Sequence, residues 1–187
     1  MKKELRKKYL ALRNSKGVNE LKQASINIIK NLYSLDEFLN ARTIMVYVSF
    51  GGEVETKDLI KRLLEAGKRV CTPLCNAKDV SLTAKEITNF SDLKPGSYGI
   101  LEPLETSCVV AKNEIDFILV PGCVFSKDGH RIGYGKGYYD RFLKDSSAVT
   151  CGLCYDFCLL DSLPFENTDV PLDIIITEKD IIKTHDA

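Results

Sequence analysis

A glycine-rich loop over residues 129–140 is the part of the chain whose residue types and spacing best suit chemistry. Four glycines occupy the nine positions from Gly129 to Gly137, and a residue without a Cβ atom lets the backbone approach a ligand closely. Free backbone N–H groups, and the N-terminus of the helix predicted to follow, favour an anion. Arg131 and Lys136 add positive charge. The loop therefore indicates a phosphate-binding site; the alternative is a flexible turn without a ligand.

The spacing of this loop differs from two well-known nucleotide motifs. It contains no Gly-x-x-x-x-Gly-Lys-Ser/Thr sequence, so it is not a Walker A loop. Tyr138 stands where a dinucleotide fingerprint has its third glycine. The loop thus predicts a phosphate group without specifying the molecule that carries it.

Three aspartates could place a divalent cation beside such a phosphate. Asp140 falls in the first turn of the predicted helix, where the helix dipole stabilises a carboxylate. Asp169 and Asp173 precede the last predicted strand, and loops at strand ends converge in open α/β sheets. Nucleotide-bound Mg²⁺ is usually held by one or two carboxylates together with phosphate oxygens. The spacing alone fits helix caps and turns equally well, so both interpretations stay open.

Other titratable residues indicate a site less clearly. Glu53 and Glu55 flank Val54 after a predicted strand. Alternation sends their side chains in opposite directions, so one can face a ligand while the other is solvated, and the residues do not say which. His130 lies in a polar loop and His185 in the tail, which favours surface positions over catalysis.

The seven cysteines predict reduced thiols, because their number is odd and their spacing fits no disulfide framework. Cys151, Cys154 and Cys158 form the cluster that suggests a metal or redox site, with Cys71 and Cys75 as possible partners. A separation of three along a predicted strand points Cys151 and Cys154 to opposite faces. We therefore interpret these cysteines as small buried apolar side chains.

Alternating helices and strands must position these residues. Leu5, Tyr9 and Leu12 recur at helical spacing in a first amphipathic helix with a basic opposite face, and residues 21–32 repeat the pattern. Thr56 is a plausible N-cap for a later helix that stops at Gly67. The predicted strands are 43–48, 68–73, 117–121, 149–155 and 174–177, with a loop over 122–137 and a helix over 138–143.

These elements predict a single α/β domain over residues 1–187. Two strand–helix–strand units imply parallel strand pairs with right-handed crossovers. We expect three layers, with an open, mostly parallel, doubly wound sheet flanked by helices. Residues 76–113 are less periodic and are expected to supply turns and edge pieces.

Composition limits the partners of the chain. Its 26 lysines and arginines balance its 26 aspartates and glutamates, so no net field attracts nucleic acid or anionic lipid, and a small-molecule partner is favoured. Apolar runs are far shorter than the ~18 residues of a membrane span. Residues 1–13 lack the apolar centre of an export signal. We expect a monomeric cytoplasmic protein that binds neither nucleic acid nor membranes.

Several motifs, taken in order, resemble the 5-formyltetrahydrofolate cyclo-ligase family, also called the methenyltetrahydrofolate synthetases. The loop carries the resemblance as Gly129-x-Arg131-Ile132-Gly133-x-Gly135-Lys136-Gly137-Tyr138-Tyr139-Asp140, after Pro121-Gly122. Residues 2–6, 53–56, 99–103 and 169–173 match further family motifs in the same order. The resemblance therefore covers nearly the whole chain.

This resemblance implies an ATP- and Mg²⁺-dependent ring closure of 5-formyltetrahydrofolate to 5,10-methenyltetrahydrofolate, with release of ADP and phosphate. The γ-phosphate is expected to pass to the formyl oxygen, giving an iminium phosphate that N10 of the folate attacks. Phosphoryl transfer needs positioning and charge neutralisation more than a protein nucleophile, which agrees with the residue types in the loop.

The resemblance also implies a role for each matching residue. The expected catalytic residues are Lys136, Arg131 and Tyr138, and the expected Mg²⁺ ligands are Asp140 and Asp169. Folate binding is expected of Val48, Glu53, Tyr134, Gly135, Lys136, Gly137 and Tyr138, which selects Glu53 over Glu55. Nucleotide binding is expected of Lys2, Lys3, Glu4, Leu5, Arg6, Arg131, Ile132, Gly133, Tyr134, Gly135, Lys136, Gly137, Tyr138 and Tyr139.

Two positions depart from the family pattern. Thr168 stands where many relatives have a histidine before the aspartate that matches Asp169, so no histidine role is expected. Tyr134 occupies a position that is often basic or small. These departures concern phosphate contacts and leave the reaction class unchanged.

Two other functions fit parts of the sequence. A sugar-phosphate isomerase or CoA-transferase-like enzyme would use an α/β sheet and a phosphate loop, and it would turn over without ATP. A non-catalytic nucleotide or RNA binder would use the basic first helix and show strongly salt-dependent affinity. The zero net charge argues against the binder.

Overall fold

The computed structural model describes residues 1–96 and 99–184. Short helices alternate with strands along most of this length. The helices are α1 (Lys2–Asn14), α2 (Val18–Leu32), α3 (Asp36–Asn40), α4 (Lys57–Glu65) and α5 (Tyr138–Leu143). The strands are β1 (Thr43–Met45), β2 (Arg69–Asn76), β3 (Ser81–Ile87), β4 (Lys94–Pro95), β5 (Leu101–Glu102), β6 (Phe117–Val120), β7 (Val124–Ser126), β8 (Arg131–Ile132), β9 (Val149–Leu153), β10 (Leu159–Leu160), β11 (Ile174–Ile176) and β12 (Ile181–Lys183).

A seven-stranded sheet in the order β12-β11-β9-β6-β1-β2-β3 forms the centre of the described residues. The five inner strands pair in parallel, as expected of strands joined by helical crossovers. The outer strands β12 and β3 pair antiparallel with their neighbours. The predicted open, mostly parallel sheet is confirmed.

Apolar side chains on the two faces of this sheet form two cores. One core contains Ile44 and side chains of α2, α3 and α4. The other contains Met45 and side chains of α1 and α5. Helices thus cover both faces, which gives the predicted three layers. Cys151 belongs to the first core and Cys154 to the second, so their predicted opposite orientations are confirmed.

Helix α4 begins after Thr56 and ends before Gly67, as predicted. Gly67 has a φ of 73°, and the N–H of Lys68 donates to the carbonyl of Leu63 at 3.0 Å, which is a Schellman ending. Thr56 occupies the cap position but makes no side-chain capping bond. Its hydroxyl donates instead to the carbonyl of Tyr47 at 2.6 Å. Thr56 therefore ties the start of α4 to the chain that leaves β1.

Four predicted strands extend past the observed ones, among them the strand predicted over 117–121, since β6 ends at Val120. Strand β1 ends at Met45, whereas the prediction extends to residue 48. The N–H of Val46 still bonds the carbonyl of Cys71 at 2.9 Å, and the chain then leaves the ladder toward a turn at Gly51 and Gly52. Strands β9 and β11 likewise stop short of residues 155 and 177. Residues 46–48 are buried although they lie beyond the end of the strand, which is why their apolar pattern resembles a strand.

Two regions are more regular than predicted. The expected loop over residues 122–137 contains β7 and β8, which form a small three-stranded sheet with β10. The less periodic region over 76–113 contains β3, which pairs with all of β2 except its first residue. The alternation of β3 is obscured because Lys85 is buried, with its ammonium on the carbonyls of Glu105 and Ser107.

No helix in the described ranges is long and apolar enough to cross a membrane. The seven cysteines all fall within those ranges and are free thiols.

Candidate functional site

Helix α1 lies against the glycine-rich loop. Arg6 Nε donates to the carbonyl of Gly133 at 2.6 Å. The same guanidinium lies beside Gly135, where a Cβ atom would stand 3.0 Å from its nearest nitrogen. Gly135 also has a φ of 98°, a conformation that strongly favours glycine. The basic face of α1 and the loop therefore form one continuous surface, and Gly135 permits their close approach.

Helix α5 begins directly after the loop, with Gly137 at a φ of 67°. It has only six residues, fewer than two helical turns. The dipole of so short a helix therefore contributes less positive potential at the loop than the predicted anion site requires. Side chains supply the rest of the positive charge around the loop, namely the half-buried Arg6, the buried Arg131 and the exposed Lys136.

Arg131 is buried beneath the loop, with its side chain 5% exposed. Its guanidinium donates to Asp140 Oδ1 and to the carbonyl of Val170, both at 2.9 Å. Burial lowers the pKa of Arg131, and the neighbouring Asp140 charge opposes that effect. The N–H of Val170 also donates to Asp140 at 3.2 Å. Arg131 and Asp140 thus join the loop to the segment that precedes β11.

Lys2 joins the start of α1 to the same segment. Its Nζ lies 2.5 Å from Asp169 Oδ2 and 3.2 Å from Glu166 Oε1. Burial alone would raise the pKa of Asp169, but hydrogen bonds from Lys2 and from the N–H of Glu166 outweigh it and lower the pKa. Asp169 is therefore a carboxylate at neutral pH.

Asp140 lies beside the segment that carries Asp169, because its Oδ1 accepts from the N–H of Val170, the residue after Asp169. Two carboxylates fit Mg²⁺ when phosphate oxygens complete the coordination. In the described ranges no group of three or more His, Cys, Asp or Glu side chains could hold a metal, so a cation on these two carboxylates would take its other ligands from elsewhere. Arg131 and Lys2 neutralise the two carboxylates here, and a cation would have to share them.

Glu53 lies beside Tyr134 of the loop and is buried, 7% exposed, whereas Glu55 is exposed. Glu53 Oε1 accepts from the Tyr134 hydroxyl, and Oε2 accepts from the N–H of Phe50, both at 3.2 Å. Burial raises the pKa of Glu53 to about 7, against the opposing effects of the Phe50 N–H and the Arg13 charge. Of the two glutamates, Glu53 alone is held in the low-dielectric interior beside the loop.

Phe50 and Tyr134 form an aromatic surface next to Glu53. Their rings stack with centroids 5.2 Å apart and planes at 30°. Both rings are partly exposed, 38% for Phe50 and 43% for Tyr134. A flat aromatic surface beside a carboxylate suits a planar heterocycle that carries N–H donors.

Arg13 is a site residue that the sequence did not single out. It is buried, 3% exposed, and donates to the Tyr134 hydroxyl at 3.0 Å and to the carbonyl of Gly122 at 3.4 Å. The signal that could have found it is its position seven residues after Arg6. Seven residues make two helical turns, so both arginines lie on one face of α1.

The other expected residues of α1 divide between the loop, the solvent and the core. Lys2 and Arg6 are half-buried and contact the far segments described above. Lys3 and Glu4 are exposed, and Leu5 packs against the core shared with α5.

The remaining expected site residues differ in how far they are exposed. Val48 is buried, 6% exposed, in the core with α2 and α4, so it presents no open wall to a ligand. Lys136 is exposed, and Tyr138 and Tyr139 are half-buried. Within the described part of the chain the Tyr139 hydroxyl is buried without a hydrogen-bond partner. The structure therefore brings α1, the loop and Glu53 together and leaves Val48 inside.

Asp173 and the histidine of the loop support the scaffold. Asp173 Oδ2 accepts from the N–H and the hydroxyl of Thr150, both at 2.8 Å. His130 is half-buried and stacks on Phe165, itself 58% exposed, with ring centroids 4.1 Å apart, so it is a packed side chain near the surface. The stacking partner comes from a distant loop, which the sequence does not reveal. His185 lies outside the described residues.

Comparisons with known sequences lead to one family. The model of the 5-formyltetrahydrofolate cyclo-ligase family matches residues 1–178. A 5-formyltetrahydrofolate cyclo-ligase from Haemophilus influenzae is 35% identical over 161 residues, which cover 82% of this chain and 86% of that protein.

Two solved structures are similar over almost the whole chain. The 5,10-methenyltetrahydrofolate synthetase of Aquifex aeolicus superposes with a TM-score of 0.89 at 34% identity, covering 100% of this chain and 94% of that one. The 5,10-methenyltetrahydrofolate synthetase of Mycoplasma pneumoniae superposes with a TM-score of 0.76 at 26% identity, covering 95% of this chain and 98% of that one.

Proposed function

Because the chain belongs to the 5-formyltetrahydrofolate cyclo-ligase family, we propose that it closes 5-formyltetrahydrofolate to 5,10-methenyltetrahydrofolate while ATP is converted to ADP and phosphate. This is a ligase reaction that forms a C–N bond. The observation that carries the proposal is the meeting of α1 with the glycine-rich loop and the segment before β11. Of two cations on one face of α1, Arg6 lies against Gly133 of the loop suited to phosphate, and Lys2 lies against Asp169 of the neighbouring segment.

The nucleotide occupies the side of the site formed by α1 and the loop. Arg6 is held by the loop backbone, and Lys2 stands one helical turn earlier on the same face. The exposed ammonium of Lys136 neutralises negative charge on the phosphoryl group during its transfer. Phosphoryl transfer depends mainly on such positioning and charge neutralisation, and this arrangement supplies both without a protein nucleophile.

Asp140 and Asp169 would hold Mg²⁺ on the nucleotide side, where the cation would neutralise phosphate charge when it is bound. The buried Arg131 fixes the Asp140 carboxylate by its hydrogen bond at 2.9 Å. Lys2 does the same for Asp169. These two pairs keep both carboxylates oriented before the nucleotide arrives, and Lys2 is then close enough to share its charge with a phosphate.

The reaction joins the two substrates directly. The formyl oxygen attacks the γ-phosphorus, the bond from that phosphorus to the β-phosphate oxygen breaks, and ADP leaves. N10 then attacks the carbon of the resulting iminium phosphate. The C–O bond breaks, N10 loses its proton, and inorganic phosphate carries away the former formyl oxygen. Tyr138 and the loop backbone enclose the transferred group and exclude water, which would otherwise hydrolyse the intermediate.

The folate occupies the side of the site formed by Glu53 and the aromatic pair. An ionised Glu53 carboxylate accepts hydrogen bonds from N–H groups of the pterin ring. The stacked Phe50 and Tyr134 rings supply a flat apolar wall beside it. Tyr134, between Glu53 and the loop glycines, serves both halves of the site. Val48 supports this wall from inside the core.

The proposal is tested by incubating the purified protein with 5-formyltetrahydrofolate and Mg-ATP and following the absorbance of methenyltetrahydrofolate. Product should accumulate with ATP and not without it. Absence of product over a broad range of pH and salt would refute the proposal. Turnover of a sugar phosphate or a CoA ester without ATP would support the isomerase or CoA-transferase alternative.

We further propose that the enzyme works as a monomer in the cytoplasm and binds no nucleic acid. Sedimentation at working concentration should give the mass of one chain. An RNA affinity that falls steeply with salt would instead support the nucleic-acid binder.

A further inference from the structure

A buried arginine connects the first helix to the folate side of the site. Arg13 is 3% exposed near the end of α1, and arginine is almost never fully buried without a charge partner. In the part of the chain that the structure describes, no carboxylate lies within ion-pair distance of its guanidinium, and its Nε has no hydrogen-bond partner. Scaffold stability alone gives little reason to place this charge here, because its desolvation is unfavourable.

The Tyr134 hydroxyl connects Arg13 to Glu53 by two hydrogen bonds. Arg13 can only donate, so its bond of 3.0 Å makes the Tyr134 oxygen an acceptor. The Tyr134 hydrogen is then directed to Glu53 Oε1 at 3.2 Å. Arg13 and Glu53 also line the same small cavity, about 10 Å³ in volume. The three side chains therefore form a chain from α1 to the carboxylate.

The same contacts fix the aromatic wall. The Tyr134 ring is 43% exposed, so packing alone leaves it room to move. Its hydroxyl is held at both sides, by Arg13 and by Glu53, while its face stacks on Phe50. Loss of the Arg13 bond would release both the ring and the carboxylate.

We propose that Arg13 is a positioning residue for folate: acting through Tyr134, it aims the Glu53 carboxylate, and it holds the Tyr134 ring as a wall of the pterin pocket. This inference rests on the proposed function, since it assigns a role within the folate side of that site. It predicts that loss of Arg13 weakens folate binding more than nucleotide binding.

The electrostatics of Glu53 provide a readout for this role. Burial raises the pKa of Glu53 to about 7, and the Arg13 charge and the Tyr134 hydrogen bond both oppose the rise. Removal of Arg13 therefore raises that pKa further. The groups that face Glu53 are Arg13, Tyr47, Glu55, Cys123, Tyr134, Tyr139 and Tyr155.

The experiment compares Arg13→Gln, Arg13→Lys and Tyr134→Phe with the wild type by steady-state kinetics. Arg13→Gln should raise the KM for 5-formyltetrahydrofolate about tenfold, as expected for the loss of one charge-assisted contact. The KM for ATP should rise less than the KM for folate, since Lys2, Arg6 and Lys136 on the nucleotide side keep their contacts. The acidic limb of kcat/KM for folate should move up by about one pH unit, and Arg13→Lys should reverse part of that move.

Tyr134→Phe removes only the hydroxyl that joins Arg13 to Glu53, and it replaces Arg13→Gln in the comparison if Arg13→Gln does not fold. It should move the same limb in the same direction, and the double variant should be no worse than Arg13→Gln, because both changes interrupt one chain of contacts. Lys22→Gln, an exposed change on α2, is the matched control. Equal losses for folate and ATP, an unmoved acidic limb, or additive effects in the double variant would overturn the proposal.

Direct calorimetric titration with 5-formyltetrahydrofolate separates this inference from the proposed function. Weaker folate binding by Arg13→Gln supports the Arg13 role even where turnover is undetectable. If the wild type binds folate and Arg13→Gln binds it equally well, the Arg13 role is wrong whether or not the enzyme turns over.

Discussion

Lys2 Nζ lies 2.5 Å from Asp169 Oδ2, an ion pair between residues 167 positions apart in the chain. The two side chains are 26% and 19% exposed, and pairs with such access to water typically contribute only about 0–1 kcal/mol to stability. The contact matters more for geometry. It brings the first helix to the segment before β11, so the nucleotide side of the proposed site is complete only when both ends of the chain are folded.

Lys136→Ala is expected to lower kcat for ring closure about a hundredfold or more, as is typical when one charge-stabilising group is lost. Lys136 is exposed on the loop, so the melting temperature should not change. Lys30→Ala, an exposed change on α2, is the control for the loss of one positive charge. A Lys136→Ala enzyme with near-normal kcat would remove Lys136 from the reaction.

Asp140→Asn is expected to lower the affinity for Mg²⁺, so that more Mg²⁺ is needed for activity, and to lower the stability of the fold. The amide can still accept the bond from Val170, but the buried Arg131 loses its charge partner, which should cost about 1–3 kcal/mol. Urea denaturation measures the stability, and kcat as a function of Mg²⁺ concentration measures the metal dependence. Asp161→Asn is the control, since Asp161 is 91% exposed. Unchanged stability would mean that the Arg131 pair is not needed to hold the loop.

Gly135→Ala should destabilise the protein and raise the KM for ATP. The φ of 98° is strained for alanine, at about 1–3 kcal/mol, and the new Cβ would press on Arg6 at 3.0 Å. Gly133→Ala is the comparison for stability, since a Cβ there meets no atom within 4 Å. If denaturation gives both variants the same free energy of unfolding, the close approach of α1 to the loop is not as tight as described.

Glu53→Gln should stabilise the protein at high pH while weakening folate binding. The pKa of Glu53 is about 7 in the folded state and about 4.3 in an unfolded chain. The folded state therefore holds this proton more tightly. The resulting stability is fully present below about pH 4 and is lost as the pH rises through about 7.

Glu53→Gln has no ionisable group at this position, so its stability does not fall as the pH rises through about 7. Its advantage over the wild type should reach at most about 4 kcal/mol near pH 8 and vanish near pH 4. Denaturation at the two pH values measures the difference. Equal stability of wild type and variant near pH 8 would show that Glu53 is not a buried, strained carboxylate.

The fold was predictable where side chains repeat at the period of one element. Ile118 and Leu119 lie on opposite faces of β6, and both faces are covered, so the strand reads as a continuous apolar run. Strand β3 was missed because its buried Lys85 satisfies its charge on distant carbonyls. That compensation depends on tertiary contacts, which no local pattern reports.

The site was predictable in its motifs and less so in its contacts. The loop glycines and Asp140 stand in a recognisable order, and the structure brings the loop to α1. Arg13 was not singled out, because a buried arginine and an exposed one give the same sequence pattern on a basic helix face. The choice between Glu53 and Glu55 likewise needs burial, which alternation alone cannot assign.

The transfer of the formyl oxygen to phosphate tests the proposed reaction most directly. 5-Formyltetrahydrofolate carrying a heavy oxygen isotope in its formyl group would be converted with Mg-ATP, and the released phosphate analysed by mass spectrometry. The proposed mechanism predicts that the heavy oxygen appears in inorganic phosphate, with one ADP formed for each methenyltetrahydrofolate. Heavy oxygen in water, with unlabelled phosphate, would contradict it.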